Sequence, residues 1–192
     1  MKKQPERTAK TRQKLVDAFW KLYCEKPIEK ITIKDITTEA GYYRSTFYEY
    51  FADVYMILDE IEAELIADYQ DMIDRLLTVN DLSAAQTLIV SFYETHGEYV
   101  AVLLGSDGDQ KFYNSLSKMI KNTVFHRIGL DEEDFQTKIL LEVLPASVIA
   151  LLNYWYKHRD TVSIQSVLMV GSELMQNGPL TLLQNGNIPF LK

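Results

Sequence analysis

The sequence predicts an all-α protein, and three observations lead to that prediction. Apolar residues recur at spacings of three and four along almost the whole chain of 192 residues, which is the period of helices that bury one face. Hydrophobic residues make up 47% of the chain, enough to build a core without disulfides or other staples. No repeat, low-complexity tract or Pro/Gly-rich linker interrupts the pattern.

The first helix is predicted from Pro5 to Glu25. Lys26-Pro27 ends it, because a proline cannot continue the hydrogen-bond ladder and disfavours a helical residue before it. Most of its lysines fall outside the apolar face. That face carries Leu15, Ala18, Phe19 and Leu22.

Two short helices follow around a glycine. Thr32 and Asp35 have the spacing of a capping box, which predicts a helix from Ile33 to about Glu39. Gly41 then supplies a turn with a positive backbone angle, and a second helix runs from about Arg44 to Tyr50. Two short helices about a glycine turn indicate a helix-turn-helix. The inward aromatic residues of the second helix are Phe47 and Phe51.

Five longer helices are predicted in the rest of the chain. Asp53 is suited to cap the first of them, and turn-forming residues separate the others. The tail after Gly178-Pro179 is assigned no regular structure. The predicted ranges are 53–77, 82–104 with a bend at Gly97, 109–127, 131–158 and 163–176.

Charge is distributed unevenly along the chain. The net charge is −7, but the first fifty residues carry eleven Lys and Arg against seven Asp and Glu. A basic N-terminal segment followed by an acidic remainder is expected if only the N-terminal segment contacts nucleic-acid phosphates. The alternative is an ordinary solvated helix whose lysines have no partner role.

The sequence also bears on the compartment. A single cysteine, Cys24, excludes an internal disulfide and a cysteine-based zinc cluster, and with no signal-like N-terminus it points to the cytoplasm. The longest apolar stretch, from Leu140 to Tyr156, is interrupted by Glu142, Pro145 and Asn153. We therefore expect no membrane span.

The segment from Ile31 to Phe51, ITIKDITTEAGYYRSTFYEYF, resembles the DNA-binding domain of the TetR family of transcriptional regulators. The likeness covers residues 8–65, and beyond them only the number and lengths of the helices agree. Residues 99–112 bear a weaker likeness to TetR-like proteins whose ligands are poorly defined. The residues that carry the main resemblance are Ile31, Thr32, Ile36, Ala40, Gly41, Thr46, Phe47, Tyr48 and Phe51.

The resemblance implies a two-fold dimer of nine or so helices per chain, with a helix-turn-helix domain at residues 1–53 and a helical effector-binding and dimerisation domain at residues 54–192. It implies a sequence-specific regulator of operator DNA, a repressor relieved by a small-molecule effector. In such docking, Arg44 would grip a guanine, because the second helix presents its first residues to base edges. The expected DNA-binding residues are Thr32, Tyr43, Arg44, Ser45, Thr46, Tyr48 and Tyr50.

Three residues depart from the family pattern. Tyr43 stands where a small capping serine is usual, Val54 where a phosphate-binding lysine is common, and Glu49 adds a negative charge to the second short helix. Losing one cation should weaken DNA binding and its salt dependence by about one phosphate contact. These departures leave open an alternative: a TetR-like helical interaction protein that acts through a protein partner, with weak or absent DNA binding.

Other functional patterns receive less support. The aromatic residues around Tyr48 could form a stacking platform for single strands, but such platforms usually lie on open sheets. The three histidines fall on different predicted helices, so we expect neither a metal site nor a cofactor. No catalytic motif argues for an enzyme.

Two residue sets in the longer helices have candidate roles. Aromatic and polar residues of the middle helices suit a ligand pocket, although ordinary core packing gives the same pattern. They are Tyr93, His96, Tyr99, Phe112, Tyr113 and Phe125. The last two helices have more apolar surface than one packing face needs, which predicts a homodimer interface, or else a fully buried helix in a monomer. The interface set is Val148, Leu151, Leu152, Trp155, Val167, Leu168, Gly171 and Leu174.

Overall fold

The computed structural model describes residues 5–105, 108–128 and 135–184. In these ranges the chain forms eight α-helices, one 3-10 turn and no strand, which confirms the all-α prediction. The count is close to the nine or so helices that were expected. The helices are α1 (Pro5–Tyr23), α2 (Ile33–Ala40), α3 (Arg44–Tyr48), α4 (Val54–Leu76), α5 (Leu82–Leu103), α6 (Gln110–Ile128), α7 (Phe135–Lys157) and α8 (Ile164–Gln184).

The chain divides into two compact units, Met1–Leu65 and Ile66–Lys192. The division falls inside α4, so the first unit holds residues 1–53 together with the first half of that helix. Within the first unit, α1 packs on α2 and α2 packs on α3. Its core is aliphatic and aromatic, and each fully buried side chain of this kind contributes about 1.5–3 kcal/mol. The most buried members are Leu15, Phe19, Ile36, Phe47, Phe51 and Ile57.

The second unit is organised around α7, which packs against α5, α6 and α8. Helix α5 begins at Asp81, whose carboxylate accepts the backbone N–H groups of Ser83 and Ala84. The helix itself starts at Leu82, as the sequence predicted. The most buried side chains of the unit are Tyr93, Val100, Leu103, Phe112 and Leu116.

Three helix ends differ from the predictions by two residues or more. Helix α1 ends at Tyr23 rather than Glu25. Helix α3 ends at Tyr48 rather than Tyr50, because the next residues bond back three positions, Glu49 N–H to Thr46 and Tyr50 N–H to Phe47, in a tightened last turn. Helix α8 continues through Gly178-Pro179 to Gln184, where an end near Gln176 was predicted. A proline removes one backbone donor and can bend a helix without ending it.

Helix α7 also passes through a proline, Pro145. Within the described part of the chain, Thr137–Lys157 is the stretch that is long and apolar enough to cross a membrane by length and composition. A core helix of a soluble protein passes the same test, so the expectation that the chain has no membrane span stays a prediction.

Close packing of α5 on α7 makes Gly97 a sensitive position. A Cβ atom there would overlap the ring of Tyr156. Overpacking of this kind costs about 1–3 kcal/mol. We therefore expect Gly97→Ala to lower the free energy of unfolding in urea, despite the better helix propensity of alanine. Gly171→Ala is the matched control, because its Cβ would meet only the end of the Leu151 side chain, and an equal loss in both variants would contradict the account.

Candidate nucleic-acid interface

The start of α2 is fixed by a reciprocal cap. The Thr32 Oγ1 atom accepts the N–H of Asp35 at 3.2 Å, and the Asp35 carboxylate accepts the N–H of Thr32 at 3.1 Å. This confirms the predicted capping box. The Lys26 ammonium, 3.0 Å from the same carboxylate, and the two Thr32 contacts lower the pKa of Asp35. Thr32 is exposed, and the cap uses its hydroxyl oxygen as an acceptor, which leaves the hydroxyl hydrogen for another bond.

The turn after α2 depends on Gly41. Its φ of 73° and ψ of 34° lie in the left-handed region, as the sequence predicted. The following N–H, of Tyr42, donates to the Thr37 carbonyl at 2.8 Å, which closes the end of the helix. A side chain at position 41 would strain this backbone, so the glycine sets the direction in which α3 leaves α2.

Helix α3 has a buried side and an exposed side. Phe47 is 0% exposed and Phe51, just beyond the helix, is 1% exposed, with their ring centroids 5.6 Å apart. On the other side, Tyr48 is 60% exposed, and both Arg44 and Ser45 are exposed. The two aromatic anchors therefore fix a row of polar side chains that faces solvent.

Six of the seven residues predicted to bind DNA lie between Tyr43 and Tyr50, and the seventh, Thr32, caps α2. Thr32, Tyr43, Arg44, Ser45 and Tyr48 are exposed, whereas Thr46 and Tyr50 are half-buried. Half-burial of Thr46 and Tyr50 leaves them less surface for contacts outside the chain. The exposed members, which lie at the start of α2 and along α3, are the candidate interface.

Tyr43 occupies the N-cap position of α3 and provides no side-chain cap. Its side chain is 83% exposed. A serine there can accept an N–H of the first turn, which is typically worth about 1 kcal/mol. We expect Tyr43→Ser to raise the melting temperature of the protein, measured by circular dichroism. Tyr43→Ala, which removes the ring without adding a cap, is the control, and an equal rise in both variants would show that the ring and not the missing cap limits stability.

Several basic residues of the first unit are engaged by acidic side chains. Arg12 pairs with Glu60, Lys21 lies 2.6 Å from Glu39, and Lys26 pairs with Asp35. Counting lysines and arginines therefore overstates the positive charge open to an anion. Among the described side chains of this unit, the basic residues without an ion pair are Lys10, Lys14, Lys30, Lys34 and Arg44.

Lys34 is a candidate that the sequence reasoning missed. It lies in the first turn of α2, two residues after the Thr32 cap, and it forms none of the ion pairs of this unit. Its position in the first turn of a predicted helix, two residues after the N-cap, is the sequence feature that could have identified it. Val54, by contrast, is only 8% exposed at the start of α4, so this position contributes to the core and not to the charged surface.

No family model and no curated protein matches the chain.

The described structure also holds titratable and nucleophilic side chains outside the candidate interface. Within its described ranges, no three His, Cys, Asp or Glu side chains converge as metal ligands would. His96 Nε2 contacts the Asp68 carboxylate at 3.3 Å, and Cys24 is an exposed thiol just after the first helix.

The second unit contains a cavity of about 630 Å³. Of the six predicted pocket residues, Tyr93 lines it. His96, Tyr99, Phe112 and Tyr113 are absent from its described lining, and the side chain of Phe125 lies outside the described residues. Most of the set predicted for a dimer interface also lines this cavity. These residues are Val148, Leu151, Leu152, Val167, Leu168 and Gly171.

The other two members of the predicted interface set also lie against the chain itself. Trp155 is 7% exposed and its ring centroid lies 5.4 Å from that of Tyr93, while Leu174 is half-buried. The apolar side chains that do face solvent on α7 are mostly different ones. They are Phe135, Ile139, Leu140, Val143, Val148 and Tyr154.

Two tyrosine hydroxyls meet inside the second unit. Tyr69 Oη and Tyr93 Oη lie 3.2 Å apart, and both side chains line the cavity. Burial raises the pKa of both phenols above their ordinary value. The pair therefore remains neutral at physiological pH.

The raised phenol pKa values predict a loss of stability in alkali. The unfolded tyrosines ionise near pH 10, whereas the folded ones do so at higher pH. The stability that the two buried, neutral phenols contribute is therefore complete below about pH 10 and falls as the pH rises above it. Melting temperatures from pH 8 to 11 should therefore fall less steeply in a Tyr69→Phe/Tyr93→Phe variant than in the wild type. Parallel curves would contradict this assignment.

Proposed function

We propose that the chain is a sequence-specific DNA-binding transcriptional regulator of the TetR type, in which α2, the Gly41 turn and α3 act as a helix-turn-helix. The observation that carries the proposal is the exposed row of Arg44, Ser45 and Tyr48, held in place by Phe47 and Phe51 on the opposite side of α3. Arg44 is the specificity residue, because an arginine can donate two hydrogen bonds to a guanine in the major groove.

The contacts to the DNA backbone come from the start of α2. The Thr32 hydroxyl donates to one phosphate, and Lys34 supplies a positive charge in the same turn. Phosphate contacts set the register of the protein on the duplex, while base contacts choose the sequence. The net positive charge of the first fifty residues favours this end of the chain over the acidic remainder.

A second copy of the chain completes the regulator. We propose that two copies pair through the outward apolar side of α7, where Ile139, Val143 and Tyr154 are each about half exposed, because their own chain does not bury these side chains. A two-fold pair would place two copies of α3 in major grooves about 34–36 Å apart or a multiple of that distance.

Regulation is assigned to the second unit. A cavity of about 630 Å³ lies within the size range of small-molecule sites, roughly 300–1,000 Å³. For an effector to relieve repression, it must bind more tightly to the form of the protein that binds DNA less well. The coupling free energy between effector binding and DNA binding is then about 1–3 kcal/mol.

The test is selection of bound fragments from genomic DNA, followed by titration of the selected fragment at two salt concentrations. We expect a specific complex whose affinity falls steeply as salt rises, because phosphate contacts release counterions. Lys118→Ala removes one exposed charge from α6 and should leave the affinity unchanged. Binding that is insensitive to salt, or equal on all fragments, would contradict the proposal.

The ion pairs of the first unit favour a second candidate function. Arg12, Lys21 and Lys26 are each bound to an acidic side chain, and Glu49 is exposed at the end of α3. These features suit a helical interaction protein that acts through a protein partner. No complex with any fragment at low salt, together with a defined protein partner captured at one-to-one stoichiometry, would support this alternative.

A further inference from the structure

We propose that the cavity in the second unit binds an uncharged, largely aliphatic small molecule that carries one hydroxyl or carbonyl oxygen. The inference rests on the proposed function, because it names the chemical class of the effector. It is argued from three properties of the cavity: the composition of its walls, its volume, and the tyrosine pair at its surface.

The walls come from five helices and are almost wholly aliphatic. Met72 and Ile73 of α4, Ile89 of α5, Leu141 of α7 and Val167 of α8 are typical members. Burying apolar ligand surface against such walls is favourable at roughly 25 cal/mol per Å². A highly polar or charged ligand would lose its hydration over most of this surface, because the polar lining residues are few. They are Tyr69, Tyr93, Lys121, Ser172 and Gln176.

One charged residue, Lys121, belongs to the described lining. Its ammonium forms an ion pair with Glu142, so its charge is already compensated. An anionic ligand would share this ammonium with Glu142, whose negative charge repels it, and would bring its own charge into a largely apolar space. The cavity therefore favours neutral molecules over carboxylates of the same chain length.

The volume limits the size of the ligand. At about 30 Å³ for each water-sized group, a cavity of about 630 Å³ holds roughly 20 non-hydrogen atoms. Five helices of one chain contribute to its lining, and most of the exposed apolar residues of α7, such as Ile139 and Val143, lie outside that lining.

The tyrosine pair supplies the polar anchor. Tyr69 and Tyr93 carry two O–H donors, and the bond between their oxygens uses one of them. Among the described residues neither hydroxyl has another hydrogen-bond partner, so one donor and several lone pairs are left for a ligand. A single hydroxyl or carbonyl oxygen on the ligand could accept a hydrogen bond from the remaining O–H donor.

The test measures binding of 1-octanol, 1-decanol and decanoate to the full chain without DNA, by calorimetry at pH 8. We expect one alcohol molecule per chain, with affinity rising about fourfold for each added methylene. Decanoate is ionised at this pH and should bind at least tenfold more weakly than 1-decanol. Equal affinities for decanol and decanoate would overturn the assignment of a neutral ligand.

Two matched variants locate the site. Val148 lines the cavity and is 38% exposed, while Val170 lies outside the described lining and is 39% exposed. Val148→Trp should abolish binding of 1-decanol, and Val170→Trp should leave it unchanged. Unaltered binding in the first variant, or a change of oligomeric state in it alone, would overturn the cavity as a small-molecule site.

The tyrosine anchor is tested separately with Tyr69→Phe/Tyr93→Phe, which keeps both rings. We expect about a fivefold loss of affinity for 1-decanol, as for one hydrogen bond. No loss would overturn the anchor. Because these experiments contain no DNA, failure of the DNA-binding proposal leaves them unaffected, and DNA binding without any alcohol binding would overturn the ligand class alone.

Discussion

Replacing Phe47 with alanine is expected to lower the free energy of unfolding of the first unit by about 3–5 kcal/mol. The side chain is fully buried and its ring lies 5.6 Å from that of Phe51 and 5.8 Å from that of Tyr48. A domain is stable by only about 5–15 kcal/mol in total, so much of the first unit's stability would be lost. DNA binding should be lost with it.

The measurement is urea denaturation followed by the fluorescence of Trp20, which is buried in the same unit, in a Trp155→Phe background. Tyr48→Ala is the control, because Tyr48 is adjacent in the chain and 60% exposed. Its effect on unfolding should stay within about 0.5 kcal/mol. Similar losses in both variants would mean that α3 is not anchored by Phe47.

Arg44→Ala is expected to weaken binding to the selected operator by about 1–3 kcal/mol, or roughly fivefold to 150-fold, with little change on unrelated DNA. The side chain is exposed in the first turn of α3, and its loss should leave stability nearly unchanged. Fluorescence anisotropy with the operator and its single-base variants measures the effect. At one base pair the variant should no longer distinguish guanine.

If Arg44→Ala weakened binding equally for all DNA sequences, Arg44 would contact a phosphate and not a base. The Arg44→Lys variant tests the geometry further, since lysine keeps the charge but loses the two-pronged donor. We expect this variant to retain affinity for unrelated DNA and to lose most of the discrimination.

Local signals predicted much of the first unit correctly. The Thr32 cap, the positive φ of Gly41 and the burial of Phe47 and Phe51 follow from interactions between residues close in sequence. Such features depend on backbone geometry and on the helical period, which can be read directly from the sequence. The ion pair between Arg12 and Glu60 joins residues far apart in the chain, and no local pattern predicts it.

The cavity could not be placed from the sequence. Helical periodicity identifies Leu152 and Val167 as apolar and inward, but it does not say whether they meet another helix, a second copy or empty space. Of the aromatic residues chosen for the pocket, Phe112 fills the core instead. Tyr93 is both a core residue and a cavity-lining residue. Its ring packs on Trp155, and its hydroxyl bonds to that of Tyr69.

The central claim is that two copies of the exposed row on α3 read DNA together, and hydroxyl-radical footprinting on the selected operator tests it most directly. The account predicts two protected half-sites related by a two-fold axis, one helical repeat or a multiple of it apart, and both lost in Arg44→Ala at the same protein concentration. A single protected site, or the same protection in wild type and Arg44→Ala, would contradict it.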